Sequence, residues 1–211
     1  DFRPATRGSD VGYLFPGQGA QFVGMGRQLY DESSKAREVF EEVDEALGRS
    51  LSRVLLLGPE EELRETANAQ PAIVAVSLAA IKAMDETLGE GNIPKPAMLA
   101  GHSLGEYTSL AVAGVLDVGQ TGWLVQERGR LMQEACEQTP GSMAAVLGLD
   151  LMTMEEIARE TGTYVANVNT PEQIVISGER MSVVQSCDMA LARGARRAIP
   201  LRVGGAFHSR L

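Results

Sequence analysis

An apolar run at residues 11–15 gives way to Pro16-Gly17-Gln18-Gly19-Ala20-Gln21, which predicts a short apolar strand and then a loop whose glycines let backbone approach a ligand closely. Amphipathic spacing predicts helices over residues 35–47 and 60–66. A third covers residues 71–88, where Pro71 suits a first helical turn and the run of Ala, Val, Ile and Leu implies burial on most faces. Residues 96–100 read as a buried strand, 106–113 as a helix, and 119–137 as a long helix stopped by Thr139-Pro140-Gly141. The texture then shortens: strand 142–147, helix 153–160, strand 164–168, turn 170–172, strand 174–177, helix 181–193, strand 198–203. That β-α-β-β-α-β order is the ferredoxin-like split unit. The pattern therefore predicts an α/β protein with a large subdomain over 11–141 and 204–211, a small ferredoxin-like subdomain over 142–203, and a linker or disordered lead at 1–10.

Composition narrows the function classes. The 211 residues are 44% hydrophobic and 22% charged, enough for a sizeable core in a soluble protein. A net charge of −9 argues against a nucleic-acid partner, which needs a cationic face. Arg193, Arg196, Arg197 and Arg202 cluster locally and read either as a solvated surface or as a patch for an acidic partner. No apolar run reaches the roughly 18 residues of a membrane span and no signal peptide opens the chain, so a cytoplasmic, membrane-free protein is expected. Cys136 and Cys187 have neither redox nor metal-ligand spacing, so no disulfide and no metal site is expected.

The chemistry centres on Gly101-His102-Ser103-Leu104-Gly105, a Gly-x-Ser-x-Gly segment between a predicted strand and a predicted helix. This pattern fits the sharp turn that projects a nucleophilic serine, with the new helix's first amides, including that of Leu104, free to face an oxyanion. A serine needs a general base, and only two histidines are present. His102 adjoins the serine, where neighbouring side chains diverge, and reads as structural. His208, just after the last small-subdomain strand, is the better base. With no Asp or Glu evidently placed as a third member, a Ser-His dyad fits. Arg128 aligns with Leu124, Leu131 and Ala135 along one helical stripe. A guanidinium there needs an anion, either an internal carboxylate or a substrate carboxylate held bidentately.

Five blocks in order now carry a family likeness: Leu14-Phe15-Pro16-Gly17-Gln18-Gly19-Ala20-Gln21, Asn68-Ala69-Gln70-Pro71-Ala72, Gly101-His102-Ser103-Leu104-Gly105-Glu106-Tyr107, Gln126-Glu127-Arg128-Gly129 and Gly205-Ala206-Phe207-His208-Ser209. From Tyr13 to Leu211 the chain resembles malonyl-CoA:acyl-carrier-protein transacylases and the related acyltransferase domains of fatty-acid and polyketide synthases. The resemblance implies an α/β-hydrolase-like core with a parallel sheet and an inserted ferredoxin-like subdomain. It implies Ser103 as nucleophile, His208 as base, Arg128 as clamp on the malonyl carboxylate, and the amides of Gln18 and Leu104 as oxyanion hole. Malonyl-CoA and acyl carrier protein become the expected partners of a monomer that uses a coenzyme A thioester as substrate and keeps no permanent cofactor. Phe207 matches a preference for malonyl over methylmalonyl units, while Gly205 departs from the His usual at that place in polyketide members. Family members continue beyond the position of Leu211, so a C-terminally truncated chain with little turnover of its own is expected.

Two alternatives share the residues. A serine esterase or thioesterase would use the same Ser-His pair but has no reason for a cation in its acyl pocket. A truncated, non-catalytic domain would only bind carrier protein, through the arginine cluster.

Overall fold

The computed structural model describes residues 10–201 and 203–211, and the chain divides into two compact units, Asp1–Arg130 and Leu131–Leu211. The expected lead segment, apart from Asp10, and Arg202 lie outside the described residues. The fold class is α/β, with a parallel sheet in the first unit and an antiparallel one in the second.

In the first unit, β1 (Gly12–Phe15) pairs in parallel with β2 (Met98–Gly101), in register from Gly12 opposite Met98 to Phe15 opposite Gly101. The helices between them are α1 (Arg27–Glu32), α2 (Ser34–Leu47), α3 (Leu51–Leu57), α4 (Glu60–Arg64) and α5 (Thr66–Leu88). After β2 come α6 (Gly105–Val112) and α7 (Val118–Gln138). Helix α2 shows how sequence sets an element. The Ser33 side chain accepts from the Ala36 N–H at 3.0 Å, and Gly48 ends the helix at φ 64°, while Ala36, Val39, Phe40 and Val43 form one buried face. That face joins Leu55, Leu63, Ile73, Val74, Leu104 and Val125 in the unit's core.

Two expectations change here. Helix α5 starts at Thr66, so Pro71 is an interior residue rather than a first-turn one. Proline has no N–H for the carbonyl of Ala67, four residues back, and Arg49 Nη2 donates to that oxygen at 3.4 Å instead. Helix α5 is also long and apolar enough, by length and composition, to cross a membrane, although no such run was expected; 56% of that stretch is buried inside the protein.

The second unit holds β3 (Ser142–Leu147), α8 (Leu151–Thr161), β4 (Tyr164–Thr170), β5 (Gln173–Gly178), α9 (Arg180–Ala192) and β6 (Arg197–Pro200). Its sheet runs β4-β5-β3-β6 with every pair antiparallel, the arrangement of a ferredoxin-like unit. Asp150 caps α8 by accepting from Thr153 N–H at 2.9 Å, and Gly162 closes it at φ 74°. Ile174 and Ile176 of β5 pack with Ala144, Val146, Met154, Ile157 and Val183, while Thr161, Thr163 and Ser186 satisfy one another through buried hydroxyls.

Candidate active site

Strand β2 ends at Gly101 and α6 begins at Gly105, so His102, Ser103 and Leu104 make the connection. Ser103 sits at φ 52°, a left-handed conformation that costs a non-glycine residue about 1–3 kcal/mol and persists only where its surroundings enforce it. The enforcement is visible. His102 N–H donates to Phe15 O at 3.0 Å, continuing the β1–β2 ladder, and Gly105 N–H donates back to His102 O at 3.0 Å. A Cβ on Gly101 would lie 1.9 Å from the Gly105 carbonyl carbon, and one on Gly105 would lie 2.3 Å from Phe15 O. Leu104 anchors the turn from below, its side chain 0% exposed in the core. The loop after β1 is packed against the same turn, since a Cβ on Gly17 would meet His102 O at 2.6 Å.

The amides beside the serine carry the next feature. Neither Gln18 N–H nor Leu104 N–H donates to an acceptor among the described residues, although most backbone donors are paired in a folded chain. Such free donors can stabilise an oxyanion.

Arg128 reaches this turn from α7. Its Nη2 donates to Ser103 Oγ at 2.9 Å, its Nη1 donates to Gln70 Oε1 at 2.6 Å, and its guanidinium lies 5.5 Å from the Tyr107 ring centroid. The ion pairs among the described residues do not include Arg128, so the internal carboxylate considered from sequence is not its partner. Gln70 is 0% exposed and also links to Gln18, whose side-chain amide donates to Thr66 Oγ1 at 3.3 Å. The sequence offered one sign of this role: a single long polar side chain at Gln70 in the apolar half of α5.

The stripe expected on α7 is not the buried one. Leu131 is 51% exposed and Ala135 is exposed, whereas Thr121, Gly122, Val125 and Gly129 are buried. Helix α7 docks through small residues: a Cβ on Gly122 would meet Val43 at 3.3 Å, and one on Gly129 would meet Thr66 O at 2.6 Å. Arg128 therefore flanks the packed face rather than occupying it.

In the second unit, His208 is exposed at φ 57°. Phe207 packs against Met143, Ala145 and Val175, and Ser209 Oγ donates to Ala206 O at 2.6 Å. A Cβ on Gly205 would lie 2.1 Å from Cys136 Sγ, and burial pushes that thiol's pKa up, so it is a packing group rather than a ready nucleophile. Two of the four clustered arginines are paired: Arg193 bridges Glu156 at 3.3 Å and Glu160 at 2.6 Å, and Arg196 pairs with Glu172 at 2.6 Å. Arg197 is exposed.

Comparison with known proteins places the chain in a family. The family described as "Acyl transferase domain" matches residues 12–211. The malonyl CoA-acyl carrier protein transacylase of Bacillus subtilis (strain 168) is 44% identical over 208 residues, spanning 96% of this chain and 64% of that protein. The crystal structure of the acyl-carrier-protein S-malonyltransferase from Bartonella henselae superposes with TM-score 0.87 at 45% identity, covering 93% of this chain and 64% of the other. A type II PKS acyl-carrier protein in complex with its malonyl-transacylase gives TM-score 0.86 at 40% identity, over 94% of this chain and 64% of that one. The chain thus spans about two thirds of the length of the relatives it matches, 64% in each case.

Proposed function

This chain belongs to the acyl transferase domain family, and from that premise we propose that it transfers a malonyl group from malonyl-CoA to the phosphopantetheine thiol of acyl carrier protein, in fatty-acid or polyketide synthesis. The observation that carries the reading is the Arg128–Ser103 pair: a guanidinium with no carboxylate partner among the described residues, 2.9 Å from a serine hydroxyl held at a strained turn. A malonyl thioester brings both things this pair asks for, an electrophilic carbonyl and, two bonds beyond it, a free carboxylate.

In the proposed mechanism His208 takes the Ser103 proton as Oγ bonds to the thioester carbonyl carbon. The tetrahedral oxyanion is held by the amides of Gln18 and Leu104. The carbon–sulfur bond then breaks, and coenzyme A leaves as a thiol with the proton returned by His208. In the second half the phosphopantetheine thiol gives its proton to His208, attacks the malonyl-serine ester, and Ser103 recovers its hydrogen as the acyl group departs. Arg128 holds the malonyl carboxylate throughout with two parallel N–H donors. The chemistry requires no resident cofactor or metal, and the protein works as a cytoplasmic monomer.

Mass spectrometry after brief incubation with malonyl-CoA tests this. A malonyl adduct on Ser103, absent from Ser103→Ala, is expected. An adduct elsewhere, or none, overturns the mechanism, and free malonate released without transfer to carrier protein identifies a hydrolase.

A further inference from the structure

Arg49 lies outside every motif discussed above, yet its guanidinium ties together the two helices that hold the acyl clamp. Its backbone is fixed by the end of α2, where Arg49 N–H donates to Asp44 O at 3.2 Å just after the left-handed Gly48. From there Nε and Nη2 donate to Gln126 Oε1 at 3.0 and 2.8 Å, and Nη2 also reaches Ala67 O at 3.4 Å. Gln126 is on α7, two residues before Arg128. Ala67 is on α5, three residues before Gln70, and its carbonyl is the one that Pro71 cannot serve. At the same place the helices meet backbone to backbone, because a Cβ on Gly129 would lie 2.9 Å from Ala67 Cα.

We infer that Arg49 is a positioning residue for acyl selectivity: it pins α7 to the proline break of α5 and so fixes where Arg128 stands between Gln70 and Ser103. The inference rests on the proposed malonyl transfer, because the geometry it protects is that of the carboxylate clamp. Without the fork, the Ala67 carbonyl and the Gln126 amide lose their shared donor and α7 is free to shift against α5. Misplacement by about 1 Å can cost a hundredfold in a positioned site. A malonyl group, which needs Arg128 bidentately, is sensitive to that shift, whereas an acetyl group, which does not use the clamp, is not.

The test measures the rate of Ser103 acylation by malonyl-CoA and by acetyl-CoA in the wild type, Arg49→Met, Gln126→Leu and the double variant. Each single variant is expected to slow malonyl loading about tenfold and acetyl loading less than about twofold. The double variant should lose little more than either single one, because both break one linkage. Equal losses on the two acyl groups, or no loss, overturn the inference while leaving the proposed function standing. A wild type that loads no malonyl on Ser103 overturns both. If Arg49→Met fails to fold, Gln126→Leu, which keeps the cation, decides the matter by the same ratio.

Discussion

Gln70 shows how much one uncharged atom decides. An arginine facing a buried glutamate would be neutralised by it, and a substrate carboxylate would have to compete with a permanent partner. The amide oxygen of Gln70 accepts from Arg128 Nη1 at 2.6 Å, fixing the guanidinium's position while leaving its full charge unspent. The Tyr107 face adds weak attraction from the other side. Hydrogen bonds to charged groups contribute about 1.5–3 kcal/mol, and a factor of ten corresponds to about 1.4 kcal/mol. Arg128→Ala is therefore expected to lower kcat/KM for malonyl transfer by at least about tenfold while sparing or improving acetyl transfer, measured with the two coenzyme A thioesters in parallel. Equal losses on both would show that Arg128 serves Ser103 alone.

At the scale of elements, what the sequence disclosed tracked how local each cause was. The serine turn was legible because its constraints lie within five residues: a strand, two glycines that must lack Cβ atoms, and a helix. The ferredoxin-like strands were legible because turn residues punctuate them. Helices α1 and α3 were missed because neither shows an amphipathic repeat: α1 buries none of its six residues, and α3 bunches Val54, Leu55, Leu56 and Leu57 in one run. The start of α5 was misplaced because proline usually opens helices, and only Arg49, eighteen positions before Ala67, shows how an interior proline is accommodated. The α7 face was misassigned because glycines count for nothing in a hydrophobic tally, although Gly122 and Gly129 are where it docks. Helix α2 makes a testable case of its own. Ser33 caps it and donates to Glu86 Oε2 on α5, a bond that, with one from Ser34, holds the Glu86 carboxyl below its ordinary pKa. A depressed carboxylate stabilises the fold above its unfolded pKa and loses that contribution as pH falls through the folded one. Ser33→Ala should cost about 1 kcal/mol in urea unfolding through the lost cap alone, and more than that at neutral pH, where Glu86 is ionised. The penalty should shrink towards the capping share alone once acid protonates Glu86, and a penalty independent of pH would remove the Glu86 contact from the account.

At the scale of the whole molecule, the two units differ in what their cores need. The first gathers its core from helices spread between α2 and α7, so its side chains meet only after long loops close. The second assembles Ala144, Val146, Met154, Ile157, Ile174, Ile176 and Val183 from one consecutive stretch, and its acidic and basic side chains pair within that stretch through Arg193 and Arg196. Residues 142–203 alone are therefore expected to melt cooperatively by circular dichroism, at the lower size limit where single domains fold unaided. Ile176→Ala should abolish that transition, because a buried Ile truncation costs about 2–5 kcal/mol, comparable to the stability such a small core supplies. The rival boundary is 131–211, which adds the packing of Gly205 on Cys136 and of Ala206 on Gly141, where a glycine Cβ would come within 2.4 Å of the alanine methyl. If 142–203 melts without cooperativity while 131–211 unfolds sharply, those two close contacts are structural members of the small unit. The segment carrying His208 would then owe its shape to that unit's core.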